Sequence, residues 1–279
     1  MTLAEVLRRS TEYLESRGSP TARLDAELLL SHGLSLSRLE LYTQFDRPLT
    51  DGELAACREL VRRRGAREPV AYVIGHWGFR RLDLAVDSRV LVPRPETELV
   101  VERCLQLLEG TEGPEVVDVG TGSGAIALAL KDERPDVGVT ACDVSEDALL
   151  VASENAQRLG LDVGFVRSDL LASVEGGPFD LIVSNPPYVA SAEIAALEPE
   201  VADHEPRLAT VAGEDGLEVY RRLLPQAAER LASGGWLVLE CGVGQPPALV
   251  AQLRELGYGD PAVDRDLSGI DRVVWARWP

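Results

Sequence analysis

The chain has 279 residues, of which 45% are hydrophobic and 27% charged, with four cysteines and a formal net charge of −18. That length corresponds to about two domains at roughly 100–200 residues each, and the composition excludes collagen-like, disulfide-scaffold and largely disordered classes. Such an acidic surface repels phosphate backbones, so direct DNA binding is not expected.

The charge is uneven. Residues 1–80 carry 12 arginines against 11 acidic residues, whereas residues 81–279 carry 16 basic against 35 acidic ones, so the two parts are expected to meet different surroundings. Cys57, Cys104, Cys142 and Cys241 lie far apart with no CxxC pair, which favours reduced thiols over a zinc site or disulfides. No metal ligand set is expected. The N-terminal stretch MTLAEVLRRSTEYLESRG is charged throughout and lacks an apolar signal core. No run approaches the ~18 apolar residues of a membrane span. The expectation is a cytoplasmic monomer.

In chain order, the segment 1–70 reads as helices. Leu3, Val6, Leu7 and Leu14 follow helical spacing behind Thr2 as an N-cap. Ser19-Pro20 reads as a cap with proline at the first helical position, and Thr50-Asp51-Gly52-Glu53 has capping-box spacing and opens a helix through about Arg64. Short connections predict a small bundle. Arg58, Arg62, Arg63, Arg64 and Arg67 cluster at its end, either as a contact surface or as a solvated helix terminus favoured by cations. Residues 70–92, rich in Val, Ile, Phe and Trp and punctuated by Gly75 and Gly78, read as a strand pair. A helix is expected from Pro95 to Leu108. Beyond Glu115, strands are expected at 115–119, 138–142, 163–167, 179–184, 235–240, 259–264 and 271–276. Helices are expected at 123–131, 146–159, 217–232 and 246–256. This βαβ alternation predicts an α/β, doubly wound, mostly parallel sheet.

Gly120-Thr121-Gly122-Ser123-Gly124 follows the first of these strands and opens a helix. Glycines there let the backbone turn sharply and a ligand approach closely, and N–H groups at a helix start can donate to an anion. The spacing is GxGxG, not the dinucleotide GxGxxG. With Asp118 before it, the loop suits S-adenosyl-L-methionine, Asp118 either holding the amino-acid moiety or bonding to the loop from beneath. Asp143 comes at the end of the next strand, where an acid can accept from a ribose diol or cap the next helix. Asp169 is placed to reach an adenine amino group or to serve as a turn acid, and Leu170 to cover the adenine face by apolar contact.

Asn185-Pro186-Pro187-Tyr188 closes a buried strand. Two prolines stiffen the backbone and donate no N–H. The Asn185 amide oxygen and the Pro186 carbonyl can therefore accept the two hydrogens of a planar NH2 group, with Tyr188 stacked over it. This suits methyl transfer from a sulfonium to a planar nitrogen without a strong base. Glu240 reads as facing the cleft or as a strand-end acid. His204 reads as a loop residue.

The chain resembles the HemK/PrmC family, the release factor glutamine methyltransferases. The resemblance rests on YVIGHWGF at 72–79, VPRPETE at 92–98, DVGTGSGAIALAL at 118–130, Asp143 and SNPPY at 184–188, with weaker echoes at Glu205-Pro206, GEDGL at 213–217 and GGWLVLE at 234–240. It implies a class I S-adenosylmethionine-dependent methyltransferase fold. Its parts would be an N-terminal helical substrate-recognition domain at 1–70, a β-hairpin linker at 71–92 and a seven-stranded methyltransferase domain at 93–279. The implied reaction methylates the side-chain amide nitrogen of the glutamine in the Gly-Gly-Gln motif of peptide chain release factors, leaving S-adenosyl-L-homocysteine. By this resemblance Gly120 to Gly124, Asp143 and Asn185 bind the cofactor, and Asn185, Pro186, Pro187 and Tyr188 hold the substrate glutamine. The same planar-NH2 chemistry would also serve adenine-N6 methylation of DNA or RNA, or methylation of a ribosomal-protein glutamine. The charge of the 81–279 part weighs against the nucleic acid.

Overall fold

A computed structural model describes all 279 residues. They divide into two compact units, one made of Met1–His76 with Leu197–His204, the other of Trp77–Ala196 with Glu205–Pro279.

The first unit is helical: α1 (Leu3–Ser16), α2 (Ala22–Leu34), α3 (Arg38–Thr43), α4 (Asp51–Gly65) and α5 (Val70–Ile74). Thr2, Ser37 and Thr50 each accept from the N–H three residues on, while Glu5, Glu40 and Glu53 reach back to the cap N–H. These capping boxes satisfy N–H groups that a helix start would otherwise leave bare. Leu3, Val6, Leu7 and Leu14 of α1 are buried, as are Ala26, Leu29 and Leu30 of α2.

Three expectations need correction here, the last only in part. The second helix begins at Ala22, not Pro20, although the Ser19 hydroxyl does accept the Thr21 N–H (3.3 Å) while donating to Asp25 (2.6 Å). Val70–Ile74, expected as strand, is a helical turn between Pro69 and Gly75 (φ +82°); its side chains Val70, Ala71, Tyr72 and Val73 are all buried, and burial outweighs the β preference of valine. The arginine cluster divides: Arg58 and Arg62 are exposed on α4, as a solvated helix end would have them, whereas Arg63, Arg64 and Arg67 are drawn into less exposed ion pairs. Arg64, 4% exposed, meets Asp25 at 2.7 Å and Glu200 at 2.5 Å. Arg67 pairs with Glu198 (2.8 Å) and Glu200 (2.6 Å), Arg63 with Glu68, and Arg62 with Glu59. Glu198 and Glu200 lie in the 197–204 excursion, which includes the π-helical turn Glu200–His204. The excursion is thus fastened to the helical unit by ion pairs.

The second unit starts with a hairpin, β1 (His76–Phe79) and β2 (Leu82–Ala85), then α6 (Thr97–Leu107). The large sheet follows: β3 (Glu115–Val119), α7 (Ala125–Glu133), β4 (Gly138–Asp143), α8 (Glu146–Leu159), β5 (Gly164–Arg167) and β6 (Phe179–Ser184). After a 3-10 turn at Ile194–Ala196 and the short α9 (Arg207–Thr210) come α10 (Glu218–Arg230), β7 (Leu231–Glu240), α11 (Pro246–Glu255), β8 (Gly259–Arg265) and β9 (Asp271–Arg277). The sheet order is β5-β4-β3-β6-β7-β9-β8. The first five strands are parallel, and β9 runs antiparallel to both of its neighbours, so β8 points the same way as the first five. The seven-stranded, mostly parallel sheet expected from the βαβ rhythm is therefore present. Val117, Val119, Ile182, Leu237 and Leu239 pack with Tyr220, Leu223 and Leu224 of α10 and Leu249 and Leu253 of α11. Val116 and Asp118, one residue out of phase, face the side where α6 and α7 lie. The order reverses beside β3, so the crevice above β3, β4 and β6 is where such sheets take ligands.

Removing one partner of a buried ion pair leaves an uncompensated charge, at a cost of about 3–5 kcal/mol. Arg64→Ala should therefore lower the protection of α2 and α4 amides by that amount in hydrogen exchange followed by mass spectrometry, while protection of β3 and β6 stays as in the wild type.

Candidate active site

At the carboxyl end of the sheet lies a cavity of about 350 Å³. Its walls come from the loops after β3, β4, β5 and β6, together with residues 89–97 and 206–209.

The loop after β3 is held from beneath. Asp118 is fully buried, and its Oδ2 accepts from the Thr121 hydroxyl (2.7 Å) and the Ala127 N–H (3.2 Å). Its Oδ1 has no partner, and burial pushes its carboxyl up to about 7 despite those two bonds. Asp118 does not line the cavity. It braces the loop from beneath, as the second of its readings expects, and leaves Oδ1 without a protein partner. Gly120, Gly122 and Gly124 all have positive φ, at +75°, +57° and +84°, but for different ends. A Cβ at Gly120 or Gly122 would meet nothing within 4 Å, whereas one at Gly124 would lie 2.9 Å from Leu128 Cδ1. The first two keep open space beside the cavity and the third lets α7 pack closely. Gly120 and Thr121 donate their N–H groups to the Cys142 carbonyl (2.8 and 3.0 Å), and Gly122 to Asp143 Oδ2 (3.0 Å). These three N–H groups are thus already engaged within the protein. The N–H groups of Ala125 and Ile126, in the first turn of α7, have no protein acceptor and belong to residues on the cavity wall. A helix start is a favourable place for a carboxylate.

Asp143 ends β4. Its Oδ1 accepts the Ser145 N–H (2.9 Å) while Oδ2 takes that of Gly122. A carboxylate has about four acceptor sites, so the tether leaves capacity for a ligand diol in the cavity that Asp143 lines. Burial raises its carboxyl, opposed by these N–H bonds. Beyond β5, Asp169 pairs with Arg222 at 2.5 Å at the cavity edge, so it sits there as one half of an ion pair. Leu170 lines the wall with φ +54°, a conformation costly for a residue with a Cβ.

After β6, Asn185, Pro186 and Pro187 line the cavity. Asn185 Nδ2 donates to Thr97 Oγ1 (3.2 Å), and the Thr97 hydroxyl donates to Glu240 Oε2 (2.6 Å). Asn185 Oδ1 and the Pro186 carbonyl receive no hydrogen bond from the protein. Tyr188 differs from expectation. It is not on the cavity wall; it packs against the core, and its hydroxyl points to Glu240 Oε1 at 3.5 Å. Its carbonyl accepts from Gln245 Nε2 at 2.9 Å. A stacking lid over the substrate is therefore not the arrangement seen.

Several residues that fix this geometry are not among the expected site residues, although Glu205 and Glu240 fall within the weaker echoes of the resemblance. Asn155 on α8 is fully buried and bonds both to Ala85 of the hairpin (2.7 and 3.0 Å) and to the Ser123 carbonyl (3.0 Å). Glu205, 1% exposed at its side chain, accepts from Arg94 (2.6 Å) and the Val92 N–H (3.4 Å). Glu240 is buried at the end of β7, and burial lifts its carboxyl to about 7. The 92–98 segment, itself part of the resemblance, is thus pinned at Val92, Arg94 and Thr97.

Comparison with known proteins agrees with this architecture. The family model described as the PrmC N-terminal domain matches residues 5–75, and that of the methyltransferase small domain matches residues 97–203. The release factor glutamine methyltransferase of Geobacter sulfurreducens is 43% identical over 276 residues, covering 99% of this chain and 96% of the relative. That of Deinococcus radiodurans is 44% identical over 277 residues, 99% of each. Among solved structures, the T. thermophilus 16S rRNA N2 methyltransferase RsmC, in complex with AdoMet and guanosine, shares the fold with a TM-score of 0.53 at 21% identity, over 73% of this chain and 50% of that one. With two relatives matched nearly end to end, this chain belongs to the family of release factor glutamine methyltransferases.

Proposed function

We propose that the chain methylates the side-chain amide nitrogen of the glutamine in the Gly-Gly-Gln motif of peptide chain release factors, using S-adenosyl-L-methionine and releasing S-adenosyl-L-homocysteine. The observation that carries this reading is the pair of unengaged acceptors, Asn185 Oδ1 and the Pro186 carbonyl, at a cavity whose glycine loop leaves room for a ligand. When bound, the cofactor supplies an electrophilic methyl group on a sulfonium. Asp143 would accept from the ribose hydroxyls, Leu170 would cover the adenine, and Asp169 would bear on its edge through the Arg222 pair. The first-turn N–H groups of α7 would receive the carboxylate.

The residues of the corner do the rest. A carboxamide NH2 has two hydrogens in its plane, and two fixed acceptors hold that plane and the nitrogen's direction. The prolines remove backbone freedom at this point. Orientation of this kind in a water-poor site is worth about 7–11 kcal/mol of barrier. Tyr188 acts from behind, through Glu240, rather than by touching the substrate. The helical unit would recognise the release factor, a role supported by its distinct charge. The acidic 81–279 part disfavours a nucleic-acid substrate.

Two measurements test this reading. Asn185→Ala should cut kcat by about 2–4 kcal/mol, the scale of losing an orienting partner in a preorganised site, in an assay of label transfer from S-adenosyl-L-methionine to purified release factor. The label should vanish when the Gly-Gly-Gln glutamine is replaced. Gly122→Ala should weaken S-adenosyl-L-homocysteine binding at least tenfold by calorimetry at a stability cost of only about 1–2 kcal/mol, the strain of a left-handed residue. Gly124→Ala should cost more stability, since its methyl also strikes Leu128.

A further inference from the structure

A side-chain amide fits its site nearly equally well in two orientations, related by exchanging oxygen and nitrogen. For Asn185 they have opposite consequences: oxygen outward accepts from an NH2 group, nitrogen outward repels it. Sterics do not choose between them; the hydrogen-bond chain behind Asn185 does. Glu240 lies 1% exposed on β7, and as a carboxylate it has no hydrogen to give. The Thr97 hydroxyl, 2.6 Å away, must therefore donate to it. Thr97 Oγ1 then offers only a lone pair to Asn185, 3.2 Å away, so Asn185 must turn its NH2 inward and its oxygen toward the cavity.

We propose that Thr97 and Glu240 are positioning residues for methyl transfer, which select the oxygen-outward orientation of Asn185 and thereby the preference for a planar NH2 nucleophile. This inference rests on the function proposed above. The three residues come from the start of α6, the end of β6 and the end of β7. Thr97 and Glu240 are both buried and each spends its polar atoms in this chain. Burial raises the Glu240 carboxyl most; of its neighbours Glu96 raises it further, and Thr97, Arg272 and Tyr188 lower it. Tyr220 contacts only its backbone carbonyl, at 2.7 Å.

The test compares wild type, Thr97→Val, which keeps the shape and removes the hydroxyl, and Thr97→Ser, which restores it. Thr97→Ala replaces the valine variant should that fail to fold. Assays run at pH 8.5, above the range to which burial lifts Glu240. Thr97→Val should lose at least tenfold in kcat on purified release factor, with the calorimetric Kd for S-adenosyl-L-homocysteine within threefold of wild type and Thr97→Ser within threefold in kcat. In the ligand-free protein, the Asn185 side-chain amide protons, assigned by their loss in Asn185→Asp, should exchange with solvent at least fivefold faster in Thr97→Val and not in Thr97→Ser. A wild type that leaves the release factor unlabelled overturns the proposed function. A wild type that labels it alongside an equally fast Thr97→Val, or unchanged amide exchange, overturns the positioning role alone.

Discussion

A polar group taken out of water must find a partner, and around the cavity each loop is fastened by one such group. Asp118 fastens the glycine loop from below, Asp143 from the side at Gly122, and Asn155 ties its Ser123 to the hairpin. Glu205 fastens the 92–94 stretch, and Glu240 reaches Thr97 and through it Asn185. Each of these ties is modest as a net hydrogen bond, about 0.5–1.5 kcal/mol between neutral groups and about 1.5–3 kcal/mol to a charged one. Their weight lies in the penalty for breaking them, because the freed group stays buried. A loop held in this way has one conformation rather than several, which is what a site working by orientation requires.

The same burial leaves an electrostatic signature. Asp118 and Glu240 are pushed up to about 7, and Asp143 and Glu205 are raised as well, in each case chiefly by loss of solvent. Raised carboxyls gathered at one end of a sheet are characteristic of functional sites. Surface pairs behave oppositely. Asp215, beside Arg221 in open solvent, falls to about 2, and pairs of that kind fix little. The distinction separates the acids that shape the cavity from those that only decorate the acidic surface.

How far the sequence reveals this follows from the range of each interaction. The N-cap at Thr2, the capping box at Thr50, the βαβ rhythm and the glycine loop are written in residues close together along the chain, and they read directly. Asn185-Pro186-Pro187 also reads directly, because proline restricts the backbone wherever it sits. Thr97 and Glu240 do not: they lie far from Asn185 on either side of it in the chain, and nothing local says that a threonine at a helix start will face a strand-end glutamate. Tyr188 misleads for the same reason, since its proline neighbours suggest a lid while the distant Glu240 draws its hydroxyl inward. The turn at Val70–Ile74 looks like strand because β-branched residues dominate it, and only the helices around it decide otherwise. Arg64 looks like surface charge until Glu200, from a segment much later in the chain, is seen beside it.

The order of strands also places the chemistry. Asp169, Asp143, the glycine loop and Asn185 follow β5, β4, β3 and β6, which is their order across the sheet. At about 4.8 Å between strands, Asp143 stands about 10 Å from the Asn185 corner and Asp169 about 14 Å, too far to remove a proton there. Glu240 is nearer but is walled off, committed to Thr97 and absent from the cavity lining. The corner thus offers acceptors and no base. An amide nitrogen is too weak an acid to lose its proton first, but once it has taken a methyl group it is cationic and sheds a proton readily to water. Aim, rather than deprotonation, is therefore what this geometry supplies, and the inward turn of Asn185 is where that aim is set.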